Sequence, residues 1–141
     1  MTQEQKDLLI KDLCGRLSHG VKCKILETNE VKILGSIQYD GENTLFDFWE
    51  DDQKIQYGYQ LYLSEFKPYL LPISSMSKEQ KKYIRDNHPF GATHELFDWL
   101  DKNNYDYRGL IDKGLVDDAT ELNIYKLWLK KKYILQIGRH L

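Results

Sequence analysis

The stretch VKCKILETNEVKILGSIQYDGENTLFDFW, Val21–Trp49, alternates apolar and polar residues along most of its length. This period of two is typical of β-strands that bury one face. The pair Asp40-Gly41 interrupts the pattern and predicts a hairpin with a type I′ turn, whose two central residues need positive φ. Phe46 and Phe48 are expected on one face of the strand that follows. The stretch therefore predicts three short antiparallel strands.

The sheet is expected to continue beyond this stretch. Residues 55–63 predict a fourth strand and a fifth is indicated near 69–71, so the β region covers 21–72. Gly35 and Gly58 fall inside predicted strands and indicate bulges or sharp coiling. Short strands that coil strongly favour an SH3-like small barrel or a curled meander of four or five antiparallel strands.

Helical sequences flank the β region on both sides. At the N-terminus, Thr2 and Gln5 form a capping box, and leucines recur every four residues from Leu9. This pattern gives an apolar stripe along one side of a helix. It predicts a helix over 3–18.

A second helical region is predicted over 77–116. Ser77 and Gln80 form another capping box, Thr93 caps a further helix, and one more is expected over 109–115. The predicted fold class is therefore α+β. It comprises an N-terminal helix, a small antiparallel barrel or meander and short C-terminal helices, all in one domain over 1–125.

The composition limits the classes of function. The 141 residues suit a single domain, and their net charge of −2 disfavours a dedicated duplex-DNA-binding protein. Neither a signal sequence nor an apolar run long enough for a membrane span is found, so the expected location is the cytoplasm. Ten Tyr, five Phe and three Trp are many for this length, and some are expected to be partly exposed.

Residues 126–141 differ in composition from the rest of the chain. They contain five Lys and Arg residues and no acidic residue, mixed with Ile, Leu, Trp and Tyr. Such a segment can form an amphipathic helix or add a strand to a sheet edge. We interpret it as a separate basic and apolar tail, with formation of a homo-oligomer as its expected role.

Three blocks of sequence carry a resemblance to a known family. In chain order they are Leu13–Leu17 with Gly20–Cys23, Phe66–Leu70 with Ser74–Gln80, and Phe97–Leu100 with Asp106–Leu115. Together they resemble a family of small uncharacterised proteins from Bacteroides-type gut bacteria, their prophages and their phages. The resemblance covers most of residues 5–125 and implies no catalytic residue. By analogy, it implies an accessory role in the bacterial cytosol, such as host interaction or evasion of bacterial defence.

Three candidate metal ligands lie close together in the sequence: Cys14, His19 and Cys23. A structural zinc site usually has four protein ligands, and no fourth lies nearby. The alternative is that both cysteines are reduced and buried, Cys14 on the apolar face of the first helix and Cys23 on the inward face of a strand. We favour this alternative and predict neither a metal nor a cofactor.

The candidates for hydrolytic chemistry are His88, His94, Glu95 and Asp98, of which His94 and Asp98 are four residues apart on a predicted helix and could touch. Ordinary exposed polar residues near a helix start explain the pair equally well. The sequence contains no nucleophile elbow and no zinc-protease motif. Binding is therefore favoured over catalysis.

Anion binding is indicated where Ser74, Ser75, Ser77 and Lys78 precede the second predicted helix. Hydroxyls and backbone N–H groups at a helix N-terminus suit a phosphate, and Lys67 could lie close. The alternative is that the serines only cap the helix and shape the turn.

Aromatic stacking is the companion hypothesis. Tyr69, Trp49 and Tyr107 could offer ring faces, and Arg108 follows Tyr107 directly. Stacking of a base on an aromatic ring contributes roughly 1–3 kcal/mol, so two such contacts with an anion site could hold a nucleotide. Aromatic residues at alternate strand positions are, however, more often part of the core.

These observations leave three hypotheses. The first is a non-catalytic phage-type accessory protein that sequesters an anionic nucleotide-type ligand, such as a cyclic nucleotide signal. The second is an adaptor or inhibitor that binds a host protein, and the third is a small hydrolase. The predicted ligand-binding residues are Ser74, Ser75, Ser77, Lys78, Lys67, Tyr69, Trp49, Tyr107 and Arg108.

Overall fold

The computed structural model describes residues 1–50 and 60–125. Most of the predicted fourth strand, Gly58 and the tail 126–141 lie outside the described residues. At the described end of that strand, Leu61 forms an isolated antiparallel bridge with Phe46, and Leu63–Glu65 is a turn of 3-10 helix.

Helix α1 spans Gln3–Arg16 and confirms the predicted N-terminal helix. Thr2 caps it, because its hydroxyl accepts from the Gln5 N–H while the Gln5 side chain accepts from the Thr2 N–H. A turn of 3-10 helix over Leu17–His19 leads to Gly20, whose φ of 74° lies in the left-handed region. Glycine adopts this conformation at little cost, so the helix ends here.

The next three strands pair antiparallel, as predicted: β1 (Lys22–Ile25), β2 (Val31–Tyr39) and β3 (Thr44–Trp49). Between β2 and β3 the pairing shifts from Leu34 to Ser36, which places Gly35 at a bulge. The bulge confirms the role predicted for this glycine.

The hairpin at Asp40-Gly41 is present, but the predicted type I′ turn is wrong. Gly41 has a φ of 99°, whereas Asp40, the other central residue of the predicted turn, keeps a negative φ. The Asp40 carboxylate fixes the turn instead: its Oδ1 accepts the N–H of Glu42 at 2.9 Å and that of Asn43 at 2.7 Å. An Asx-type turn of this kind needs no second residue with positive φ.

Strand β4 (Phe66–Pro72) pairs antiparallel with β1 and parallel with the two-residue strands β5 (Tyr105–Asp106) and β6 (Asp117–Asp118). Six strands of the described residues form this sheet, in the order β3-β2-β1-β4-β5, with β6 also paired to β4. Within residues 1–50 and 60–125 the sheet is mixed and not closed into a barrel, so both the SH3-like barrel and the purely antiparallel arrangement are wrong. The physical reason is that β5 and β6 follow the helices and pair parallel with β4. These parallel partners occupy the edge of β4 that another strand would need in order to close a barrel.

Helices α2 (Lys78–Asn87) and α3 (His94–Lys102) confirm two predicted helices and begin after the predicted caps, Ser77 and Thr93. These elements together confirm the α+β fold class. No helix in the described ranges is long and apolar enough to cross a membrane.

The helix predicted over 109–115 is wrong, because the segment forms consecutive turns. The Asp106 carboxylate accepts the N–H groups of Leu110 and Ile111, each at 2.9 Å. Gly109 and Gly114 have φ values of 72° and 73° at the two ends of the segment. A helix cannot continue through residues in this left-handed conformation.

The inner face of the sheet packs against α1. Its core contains Leu13 of that helix together with Phe46, Phe48 and Phe66, all buried. The Phe66 ring contacts both other rings edge to face, with centroid distances of 4.9 Å. This confirms that Phe46 and Phe48 share one buried face.

The outer face is the opposite side of the same sheet. Near β4 and β5 it is covered by a second core, in which Tyr69 and Leu71 pack with Leu100 of α3 and with Tyr105. The rings of Trp99 and Tyr105 stack at a centroid distance of 5.8 Å. Further along the sheet, the outer face carries residues that are only partly buried, and these form the candidate site.

Candidate functional site

Lysine side chains alternate with buried residues on two neighbouring strands. In β1, Lys22 and Lys24 are partly buried, whereas Cys23 between them is fully buried on the inner face. In β4, Lys67 follows the buried Phe66. Because successive side chains of a strand point to opposite faces, all three lysines project from the outer face.

Strand pairing brings these lysines onto the same surface as Trp49. Lys24 lies directly opposite Lys67, and Lys22 lies opposite Ile33, which in turn lies opposite Trp49. Trp49 is therefore two strands away from Lys22, or about 10 Å at the usual strand spacing. We call Lys22, Lys24, Lys67 and Trp49 the outer-face site.

The outer-face site has an excess of positive charge. Lys24 Nζ lies 3.4 Å from Asp117 Oδ2, and Lys67 Nζ lies 3.0 Å from Asp117 Oδ1. Lys22 Nζ donates to a neutral group, the carbonyl oxygen of Ile124, at 3.2 Å. The side chains of Lys24 and Lys67 are 30% and 33% exposed, so an anion from solvent can reach them.

The indole of Trp49 lies against the bulge in β2. A Cβ atom at Gly35 would be only 2.7 Å from Trp49 Nε1. Only glycine permits so close an approach of backbone and ring. The bulge glycine therefore allows the partly buried indole to lie beside Ile33 on the outer face.

Two other predicted site residues, Tyr107 and Arg108, lie in a different part of the molecule, after β5. Arg108 Nε donates to Asp12 Oδ1 at 3.1 Å, and the Tyr107 hydroxyl donates to Asp101 Oδ1 at 2.9 Å. The fully buried Arg16 donates through Nε to Asp12 Oδ2 at 2.8 Å and through Nη2 to a β5 carbonyl oxygen at 2.6 Å. We call Asp12, Arg16, Asp101, Tyr107 and Arg108 the ionic cluster.

The charges of the ionic cluster balance. It contains two carboxylates and two guanidinium groups, and the guanidinium of Arg108 lies 5.0 Å from the centroid of the Tyr107 ring. No excess charge remains to attract an anion. These mutually paired groups, of which Asp12 and Arg16 are fully buried, join α1, α3 and the segment after β5, which is a structural role.

Sequence reasoning misses Asp12 and Arg16, although a signal for them exists. Both fall on the same helical stripe as Leu9, at spacings of three and seven residues. A polar pair inside an apolar stripe indicates a buried ion pair. Gly15 lies beside them, and a Cβ atom there would be 3.2 Å from Asp101 Oδ2, so a larger residue would crowd the α3 carboxylate.

The phenols near the ionic cluster are held neutral. Burial raises the pKa of Tyr107, and its hydrogen bond to Asp101 raises the pKa further because a phenolate could not donate it. Burial likewise raises the pKa of Tyr105 to about 12. Both side chains therefore remain protonated near neutral pH.

The serines before α2 already have partners in the chain. The Ser77 hydroxyl accepts from the Gln80 N–H at 3.1 Å, and Gln80 Oε1 accepts from the Ser77 N–H at 2.9 Å. The Ser75 hydroxyl donates to a β4 carbonyl oxygen at 2.7 Å, while Ser74 and Lys78 are exposed. These contacts favour the interpretation as a cap and a turn.

Lys67 and Tyr69 do not join these serines. Lys67 lies about 17 Å along β4 from Pro72, the strand end that leads to them. Tyr69 is buried in the second core. Of the predicted residues, the fold therefore places Lys67 and Trp49 on one surface and keeps the serines and Tyr107–Arg108 apart from it.

The candidate catalytic pair is exposed, and the candidate metal ligands differ in burial. His94 and Asp98 are both exposed on α3. Cys23 is buried as predicted, but Cys14 is exposed, and its predicted place on the apolar face is wrong. The reason is that Cys14 lies more than half a turn around α1 from the buried Asp12. In residues 1–50 and 60–125, no group of three or more His, Cys, Asp or Glu side chains could hold a metal ion.

No protein-family model, curated protein or solved structure matches the chain. The assignment of a function therefore depends on the charges and contacts described above.

Proposed function

We propose that the protein is a non-catalytic binding protein for an anionic, nucleotide-type ligand, held at the outer-face site. The observation that carries this proposal is that Lys24 and Lys67 lie opposite each other, partly exposed, and share the single carboxylate of Asp117. A phosphate group could take the place of that carboxylate as the partner of both ammonium groups. Such charge-assisted hydrogen bonds are stronger than those between neutral groups.

Trp49 supports a ligand that combines an anion with a ring. It lies on the same face as the lysines, about 10 Å from Lys22, which suits a nucleotide with its base at Trp49 and its phosphate at the lysines. Stacking on an indole is tolerant of base identity and contributes about 1–3 kcal/mol. The ionic cluster lacks the excess charge that this proposal requires, so we prefer the outer face.

The biological role that we propose follows from the resemblance to phage and prophage proteins. A protein of that kind, in the bacterial cytosol, would sequester a nucleotide signal of host defence, such as a cyclic nucleotide, and return it unchanged. This step is an analogy and is separable from the binding proposal.

Isothermal titration calorimetry with AMP, GMP, CMP and their cyclic forms tests the binding proposal. Lys24→Ala and Lys67→Ala are each expected to weaken binding by about 10-fold or more, since a hydrogen bond to a charged group contributes about 1.5–3 kcal/mol. Asp117→Asn is expected to strengthen binding, because the ligand would no longer compete with a carboxylate. Lys78→Ala, which removes an exposed charge from α2, is the matched control and should leave the affinity unchanged.

Three results would contradict the proposal. The first is that none of these nucleotides binds, and the second is that Lys78→Ala weakens binding as much as Lys67→Ala. The third is that chromatography of the recovered ligand finds it converted to a product, which would establish an enzyme instead of a binder.

A protein partner is the second candidate, and one observation favours it. Phe90, in the loop between α2 and α3, is 90% exposed. An aromatic ring so fully exposed is a suitable anchor for a protein interface.

We expect Phe90→Ser to abolish capture of a specific protein from bacterial cytosol, whereas Tyr39→Ser, at another exposed aromatic residue (71%), retains it. Equal capture by both variants would exclude Phe90 as an anchor.

A further inference from the structure

Asp47 occupies the outer face of β3, two residues before Trp49, and is only 8% exposed. Its Oδ2 atom accepts three hydrogen bonds: from Ser36 Oγ at 2.7 Å, from Gln38 Nε2 at 3.0 Å and from Gln60 Nε2 at 3.4 Å. Its Oδ1 atom is buried and has no hydrogen-bond partner in the described part of the chain. The Oδ2 atom of the carboxylate thus accepts several hydrogen bonds, whereas the Oδ1 atom accepts none from the described residues.

A buried carboxylate oxygen without a partner is unfavourable and is rare in folded proteins. In residues 1–50 and 60–125, two other buried side chains have an unpartnered polar atom: Arg16, in the ionic cluster, and Asn104, next to β5. Among the described residues, Asp47 is therefore the one such group on the strands that carry Trp49 and the three lysines. It lies about 7 Å along the strand from Trp49, a separation at which both can contact one ring system.

The groups beside Asp47 can move aside. Gln38 and Gln60 are both exposed, and Gln60 Nε2 also donates to Gln38 Oε1 at 3.0 Å. Exposed side chains change rotamer quickly, and Ser36 Oγ still donates to Asp47 Oδ2 when the two amide hydrogen bonds are given up. Rotation of this pair would open a path to the carboxylate without any change in the strands.

We propose that Asp47 Oδ1 accepts a hydrogen bond from an exocyclic amino group of the base that stacks at Trp49. This inference rests on the proposed function and makes it more specific. The ligand is then a nucleotide of guanine, adenine or cytosine type, with its phosphate at Lys22, Lys24 and Lys67. A base that presents only a carbonyl oxygen at this position is rejected, because two acceptors would face each other.

Three pairs of nucleotides that differ at an exocyclic amino group test this inference: GMP with IMP, AMP with IMP, and CMP with UMP. Calorimetry of the wild type is expected to show about 10- to 100-fold tighter binding of the amino-bearing member of at least one pair, the range expected for a hydrogen bond to a charged acceptor. Asp47→Asn should reduce this preference to a few-fold. Asp118→Asn, on the exposed end of β6, is the matched control and should preserve it.

The outcomes separate this inference from the proposed function. If both members of each pair bind equally, and both lose affinity in Lys67→Ala, the role of Asp47 is overturned while the outer-face site stands. If no nucleotide binds, both proposals fail. If Asp47→Asn does not fold, the three comparisons on the wild type still decide the question.

Discussion

Arg16→Met is expected to lower the free energy of unfolding by about 3–5 kcal/mol, the usual cost of removing one partner from a buried ion pair. Arg16 is fully buried and is the partner of Asp12, which also accepts from Arg108. Methionine fills a similar volume but leaves Asp12 with one of its three hydrogen bonds, the one from Arg108. The β5 carbonyl oxygen that accepts from Arg16 Nη2 at 2.6 Å would also lose its partner.

Urea unfolding followed by circular dichroism measures this effect, with an unchanged slope against urea as the sign that only stability has altered. Arg85→Met, at an exposed position in the last turn of α2, is the matched control and should change stability by less than about 0.5 kcal/mol. In the double variant Asp12→Leu/Arg16→Met, part of the loss should be recovered, because no carboxylate is then left buried beside Arg108. A loss below 1 kcal/mol for Arg16→Met would show that the ionic cluster does not hold α1 to α3.

Tyr125→Phe is expected to cost about 2–4 kcal/mol, although it removes a single oxygen atom. The Tyr125 hydroxyl accepts from the backbone N–H of Lys22 and donates to the carbonyl oxygen of Tyr69 at 2.9 Å. Cys23 pairs with Pro68, so Lys22 and Tyr69 are the next opposing residues of β1 and β4. The hydroxyl thus takes the place of a missing strand hydrogen bond, and each group left unpaired costs about 1–3 kcal/mol.

The same unfolding measurement tests this prediction, with Tyr39→Phe as the control. Tyr39 is exposed, and its hydroxyl donates only to Gly41 O within the hairpin, at 3.0 Å. Loss of the Tyr39 hydroxyl should therefore change the free energy of unfolding by less than about 0.5 kcal/mol. Equal effects of the two substitutions would refute a bridging role for Tyr125.

The parts of the fold that depend on local sequence could be predicted. The capping boxes at Thr2 and Ser77 and the strand Thr44–Trp49 follow from hydrogen bonds and side-chain alternation within a few residues. The prediction of a barrel was wrong because the closure of a barrel depends on pairing between strands that are far apart in sequence. No propensity indicates that the two-residue strands β5 and β6 pair with β4.

The candidate site shows the same division. Lys67 and Trp49 could be identified as suitable residue types, but their common face with Lys22 and Lys24 depends on the pairing of four strands. The alternation of residues in β1 already indicates that its lysines and Cys23 lie on different faces of the sheet. The sequence does not show which residue lies opposite on the neighbouring strand. For this reason, the sequence alone could not show that the serines before α2 lie far from the lysines.

The most direct test of the outer-face site is a titration of the ¹⁵N-labelled protein with GMP, followed by two-dimensional NMR. We predict saturable shift changes at the amides of Lys22, Lys24 and Lys67 and at the indole N–H of Trp49, with the amide of Arg108 unchanged. Changes confined to residues 105–108 or 74–78, or no change at millimolar GMP, would contradict the proposed site.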